Sequence, residues 1–144
     1  MTTLNAAPRS KPAAGQWLIL GALAAAVATA AVLIVMAIAI AIWPDIALFK
    51  PLDSYARAAL FTIIPAFAAT GLLAWLAARR ADPVRTFVRI AAVVLLLSFI
   101  PDYLLPVPDK TFLASSVAAF LHVVAAAAIV AVLVGGYRRL INRG

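Results

Sequence analysis

Residues 17–43 read WLILGALAAAVATAAVLIVMAIAIAIW, with a tryptophan at each end and no charged side chain anywhere in the run. A helix needs about 20 apolar residues to cross a hydrocarbon core about 30 Å thick, so this run is long enough to span one. Three further stretches share its character, roughly 55–78, 87–105 and 112–137. The pattern predicts an all-α membrane protein whose four transmembrane helices form an antiparallel bundle. Residues 1–16 and 138–144 then read as short hydrophilic tails around one transmembrane domain at 17–137.

The first run could be mistaken for a cleavable signal, because Arg9 and Lys11 precede it. Its length argues otherwise: a signal h-region holds about 7–15 apolar residues. The run is expected to stay as an anchor, with Trp17 and Trp43 at the two membrane interfaces, where an indole buries its ring and keeps its N–H wet.

Composition excludes several function classes. With 67% hydrophobic and 12% charged residues, 144 residues could not hide this apolar surface inside a soluble core. The formal net charge of +7 does not indicate nucleic acid, since the cations lie at span ends and form no basic face on a soluble module. Anionic lipid headgroups are the expected partners. There is no cysteine, which removes disulfides, thiolate metal sites and thiol redox chemistry.

Charge placement orients the chain. Arg9 and Lys11 precede the first span, Arg79, Arg80, Arg85 and Arg89 surround the link between the second and third, and Arg138, Arg139 and Arg143 follow the fourth. The other side carries only Lys50, Arg57 and Lys110, together with Asp45, Asp53, Asp102 and Asp109. By the positive-inside rule both termini are cytoplasmic, in a multi-pass protein of the cytoplasmic (inner) membrane. Arg79, Arg80, Arg85, Arg89, Arg138 and Arg139 are then candidate headgroup contacts. Arg85 and Arg89 share a helix face and snorkel to phosphates while Phe87 and Val88 enter the bilayer.

Local signals agree with these boundaries. Asp82 followed by Pro83 reads as an N-cap and first helical residue for span three. Asp53-Ser54 and Asp109-Lys110-Thr111 are positioned to cap spans two and four. The tight Pro106-Val107-Pro108 link makes spans three and four antiparallel neighbours. Span two repeats a small residue every fourth position, at Ala58, Thr62, Ala66, Thr70, Ala74 and Ala78. Such a face admits another backbone closely, either within the bundle or as the seam of a homodimer or larger membrane complex. Pro65 removes a backbone donor in the same span and should kink it.

Asp102, late in span three, and His122, the only histidine and about ten residues into span four, are the only candidate chemistry. Ionisable groups at membrane depth need partners or water. Antiparallel neighbours bring the two together, although the rise of about 1.5 Å per residue leaves Asp102 nearer the outer surface, where a water would bridge them. Ser98, four residues before Asp102 in span three, and Ser115, on the side of His122 in span four, join the pair as candidate polar residues. Ser115, Ala118, Ala119, Ala125 and Ala126 fall on the side of His122 and leave room for a facing helix or a small polar cavity. The pair reads as a structural bond between spans three and four, with a proton relay or a ligand site as the alternatives.

One imidazole and one carboxylate fall short of the three or four protein ligands a zinc or transition-metal site uses, so no metal and no cofactor is expected. The span serines have no base at motif spacing, there is no glycine-rich phosphate loop, and no carboxylate pair lies inside the spans, so an enzyme is not expected.

The run Pro83-Val84-Arg85-Thr86-Phe87-Val88-Arg89-Ile90-Ala91, then Leu95-Leu96-Leu97-Ser98-Phe99-Ile100-Pro101-Asp102, then Leu121-His122-Val123-Val124-Ala125 in the last span, resembles an uncharacterised four-span bacterial membrane protein family, common in actinobacteria and their neighbours and catalogued as a domain of unknown function. The resemblance covers mainly residues 55–139. It implies a four-helix membrane protein with no assigned activity and supplies no catalytic residues, while Ser98, Asp102 and His122 match the family's polar positions.

Two function classes follow. The favoured one is a small non-enzymatic accessory, assembly or structural subunit, because polar groups in the spans are few. The alternative is a small transporter or proton-coupled permease using Asp102 and His122, which would show polar residues recurring along one face of two or more helices.

Overall fold

The computed structural model describes residues 12–142, so Arg9, Lys11 and Arg143, three of the orienting cations, lie outside the described residues. Four helices follow one another: α1 (Ala14–Ile42), α2 (Tyr55–Arg79), α3 (Pro83–Leu104) and α4 (Phe112–Asn142), with no strand among the described residues. All four are long and apolar enough to cross a membrane. α1 packs along α2 and α4, and α3 lies against the same two helices, so the bundle is a ring with α1 and α3 at opposite corners.

The helix starts follow from side-chain capping. Asp82 accepts a hydrogen bond from the Arg85 amide at 3.1 Å with Pro83 behind it, as the Asp-Pro pair predicts. Ser54 caps α2 by accepting from the Arg57 amide, and Thr111 caps α4 by accepting from the Ala114 amide at 3.1 Å. Asp109 and Asp53 do other work. Asp109 takes the left-handed turn between α3 and α4 (φ 56°), a conformation that aspartate tolerates better than most residues, and Asp53 pairs with Arg57. α2 runs unbroken through Pro65. α4 continues past Tyr137 to Asn142, so residues 138–142 form its last turns, held there because Leu140 and Ile141 pack on the core.

The core divides into two halves. Toward the basic end, which carries Arg79, Arg80, Arg85, Arg89, Arg138 and Arg139, it gathers Leu20, Ala24, Leu73, Leu76, Phe87, Leu133 and Tyr137. Trp17 stacks on Tyr137 there at 5.7 Å between ring centroids, tying the start of α1 to the end of α4. At the far end, two 3₁₀ turns, Pro44–Leu48 and Lys50–Leu52, close the bundle. Three residues per turn place Ile46, Phe49 and Leu52 on one side, and all three are buried against Val32, Met36, Val117 and Leu121. Phe87, expected in the bilayer, is instead buried between helices, while Val88 is exposed.

Apart from Leu20, α1 meets its neighbours between Gly21 and Ala28 with small residues, Gly21, Ala24, Ala25 and Ala28, while Val32 and Met36 fill the far end. Successive residues of a helix are about 100° apart, so Leu20 and Gly21 face different partners. A methyl group on Gly21 would lie 3.1 Å from Thr70 Oγ1 and 3.3 Å from Phe67 Cδ1 of α2. Leu20 fills the space over Gly136 of α4, where any Cβ would overlap its Cδ1. The expected small-residue face of α2 lies here. Thr62, Ala66 and Thr70 are buried and Ala58 and Ala74 half-buried within this single chain, and both threonine hydroxyls donate to their own helix, to Ala58 O and Ala66 O at 2.8 Å.

Overpacking this seam is expected to separate the helices. Ala66→Leu should lower stability by about 1–3 kcal/mol, the range for extra methylenes in a filled site, whereas Ala68→Leu, on the exposed side of α2, should leave it nearly unchanged. Thermal unfolding of both variants in detergent checks this; equal midpoints would remove the seam from the account.

Candidate functional site

α3 touches the rest of the bundle mainly at its two ends. Its buried residues are Pro83 and Phe87 near the basic end and Asp102 near the far end, and none between. Over that gap, about 22 Å at 1.5 Å per residue, α3 stands off α2 and α4 and a cleft opens. The cleft has two compartments, about 310 Å³ and about 670 Å³, which share Phe61, Thr62, Ser98, His122 and Ala125 and so form one space. The compartment toward the basic end is apolar, walled by Pro65, Ala69, Leu72, Ile90, Val94 and Val130. The one toward the far end holds the polar groups Lys50, Arg57, Thr62, Ser98, Asp102 and His122.

Asp102 and His122 meet at the junction, with His122 Nδ1 3.0 Å from Asp102 Oδ2. No bridging water is required, contrary to the expectation from helix rise. Side chains on a helix lean toward its N-terminus. In antiparallel helices that lean carries Asp102 inward along α3 and His122 outward along α4, so the two close the offset in depth. The two atoms are sealed from solvent but are not aligned as an in-line hydrogen bond. Their separation defines a close acid–imidazole contact. The Asp102 side chain is 6% exposed and that of His122 44%, so the carboxylate is held inside while the imidazole opens onto the cleft.

Ser115, expected near the pair, acts on the backbone. Its buried hydroxyl donates to the Asp102 carbonyl oxygen at 2.7 Å. That carbonyl belongs to the last turn of α3, where four acceptors have no partner within the helix. Lys110 Nζ serves the same end, donating to the Tyr103 and Leu105 carbonyls at 3.0 and 2.8 Å. Residues of α4 and its approach therefore finish α3 and fix Asp102. Ser98 faces the cleft but donates to Leu95 O at 2.7 Å, and Ser116 donates to Phe112 O and accepts from Tyr103 Oη. Thr29 of α1 has a buried hydroxyl without a partner and lies outside both compartments.

The expected headgroup cations Arg79, Arg80, Arg85, Arg89, Arg138 and Arg139 are all exposed at the basic end, with Arg79 5.3 Å over the Trp75 ring. The sequence reading missed Lys50 and Arg57 as cleft residues. Their signal was available, since with Lys110 they are the only cations on the far side. No group of three or more His, Cys, Asp or Glu that could hold a metal occurs among the described residues.

The contact predicts an energetic coupling. Asp102→Asn and His122→Gln should each destabilise the fold, and the double variant should lose less than the sum by on the order of 0.6 kcal/mol, the average for side-chain hydrogen bonds in membrane bundles. Strict additivity in denaturation measurements would reject the coupling. Ser115→Ala should cost about 1–3 kcal/mol by leaving the buried Asp102 carbonyl without its partner.

No curated protein and no solved structure matches the chain. The sequence model of a family of unknown function (DUF6069) matches residues 12–139, which takes in α1 to α3, all but the last three residues of α4, the cleft and the Asp102–His122 contact. The chain belongs to that family.

Proposed function

We propose that the protein is a non-enzymatic, multi-pass component of the cytoplasmic membrane, an accessory or assembly subunit with both termini on the cytoplasmic side. The observation that carries this reading is the exterior of the bundle. Large apolar side chains such as Leu18, Ile34, Phe61, Val94, Leu96 and Phe120 are exposed along every helix, far beyond what a protein in water leaves uncovered. The exposed arginines at one end fit the anionic cytoplasmic leaflet. The span hydroxyls of Thr62, Thr70, Ser98 and Ser116 are spent on their own helices, which favours a support role over a lined translocation path.

A second reading, a proton-coupled permease, draws on the Asp102–His122 contact, since an acid and an imidazole in contact inside a cleft are the parts of a proton relay.

Both readings are open to direct measurement. The chain has no cysteine, so Arg80→Cys and Asp109→Cys introduce single thiols. A membrane-impermeant thiol reagent applied to intact cells should label only Asp109→Cys; the reverse pattern inverts the orientation. In reconstituted vesicles carrying an internal pH dye, the protein should add no proton flux to that of empty vesicles. A flux that vanishes in His122→Gln would replace the accessory reading with the permease.

A further inference from the structure

We infer that the cleft beneath α3 is a binding site for one acidic phospholipid of the surrounding bilayer, with an acyl chain in the apolar compartment and the phosphate between Lys50 and Arg57; this rests on the membrane reading above. The apolar compartment has no side chain of its own to fill it. The residues around it are small where α2, α3 and α4 face one another, at Ala68, Ala69, Ala91, Ala125 and Ala126. A cavity of this lining stays dry and takes hydrocarbon. It is also open at the side, because Phe61, Pro65, Ala68 and Val94 line it and are exposed on the surface of the bundle. A chain can therefore enter laterally from the bilayer.

The other compartment has the chemistry of a headgroup. Lys50 has no carboxylate within ion-pair distance among the described residues. Arg57 is fixed at the same mouth by Asp53 and the Lys50 carbonyl, which holds its guanidinium in place. Unpaired Lys50, with the Asp53-paired guanidinium of Arg57 as a fixed donor beside it, complements a phosphate at the polar end of an apolar slot. Between head and chain stands the half-exposed imidazole. With Nδ1 sealed against Asp102, the open side of the ring is that of Nε2, which has no hydrogen-bond partner within the described protein. With the ring N–H turned to the Asp102 carboxylate, Nε2 is left as an acceptor, and a hydroxyl of the lipid headgroup, such as that of glycerol, meets it there as a donor. Asp102, buried and lining the same compartment, is the positioning residue that sets the ring's orientation.

The test uses the intact chain in nanodiscs of phosphatidylcholine doped with a diazirine-acyl lipid, either phosphatidylglycerol or phosphatidylcholine, followed by illumination and peptide mass spectrometry. Phosphatidylglycerol should label cleft residues of α2 and α3, Ala68–Leu72 and Ile90–Leu95, about fivefold more than phosphatidylcholine does, the effect of one lysine near an anionic phosphate. Lys50→Glu should abolish that preference. Ala68→Trp, an exposed substitution that fills the slot while leaving the core intact, should remove cleft labelling with the unfolding midpoint unchanged. Equal labelling by the two lipids, or labelling spread evenly over outward residues such as Leu96 and Phe120, would overturn the site. Failure of the chain to enter the discs would overturn the membrane reading, and is seen before any label is read.

Discussion

The close approach of α1 to two neighbours at once is the constraint on which the rest of the structure depends. Gly21, Ala24, Ala25 and Ala28 give one helix a face with almost no side chain, and backbone-to-backbone packing takes the place of interdigitated bulk. α2 answers with Thr70 and Ala66, α4 with Gly136 under Leu20. Because these three helices satisfy one another, α3 is left with the outer position and few obligations. Its two ends are held by Phe87 and by the Asp102 turn that Ser115 and Lys110 complete. Close packing on one side of the ring thus produces open space on the other.

That division also separates two kinds of polar residue. The hydroxyls of Thr62 and Thr70 on α2 are bonded to carbonyls of their own helix, although Thr62 also borders the cleft. Of the polar groups with capacity left over, Lys50, His122 and Asp102 border the cleft, while the Thr29 hydroxyl of α1 lies outside it. A polar side chain surrounded by apolar atoms is costly unless it is satisfied, so its retention at the edge of a cavity carries more information than its presence in a packed seam.

The four spans were legible in the sequence because crossing hydrocarbon demands length and apolarity, and both can be counted. The Asp-Pro start of α3 and the Ser54 and Thr111 caps were legible because their chemistry is local. The order of helices around the ring was not. α1 is apolar on every side, so no periodicity separates residues facing protein from those facing outward, and only the clustering of Gly and Ala hints at the inner face. The Asp102–His122 pairing was visible from residue type and antiparallel topology. Its directness was not, because a calculation from helix rise ignores the lean of the side chains. Ile46, Phe49 and Leu52 escaped notice because a three-residue period over two short turns resembles an ordinary loop.

The two-point attachment of α3 has a consequence for how this protein can diverge. None of residues 88–101 of that helix is buried, and only Ile90 among them packs partly on the core, so the anchoring lies mainly at Phe87 and Asp102. Substitutions there alter the width and lining of the cleft with small effect on the core, whereas changes in α1 strike the packing directly. Within one scaffold, selection is therefore free to retune what the cleft accepts while the frame around it stays fixed.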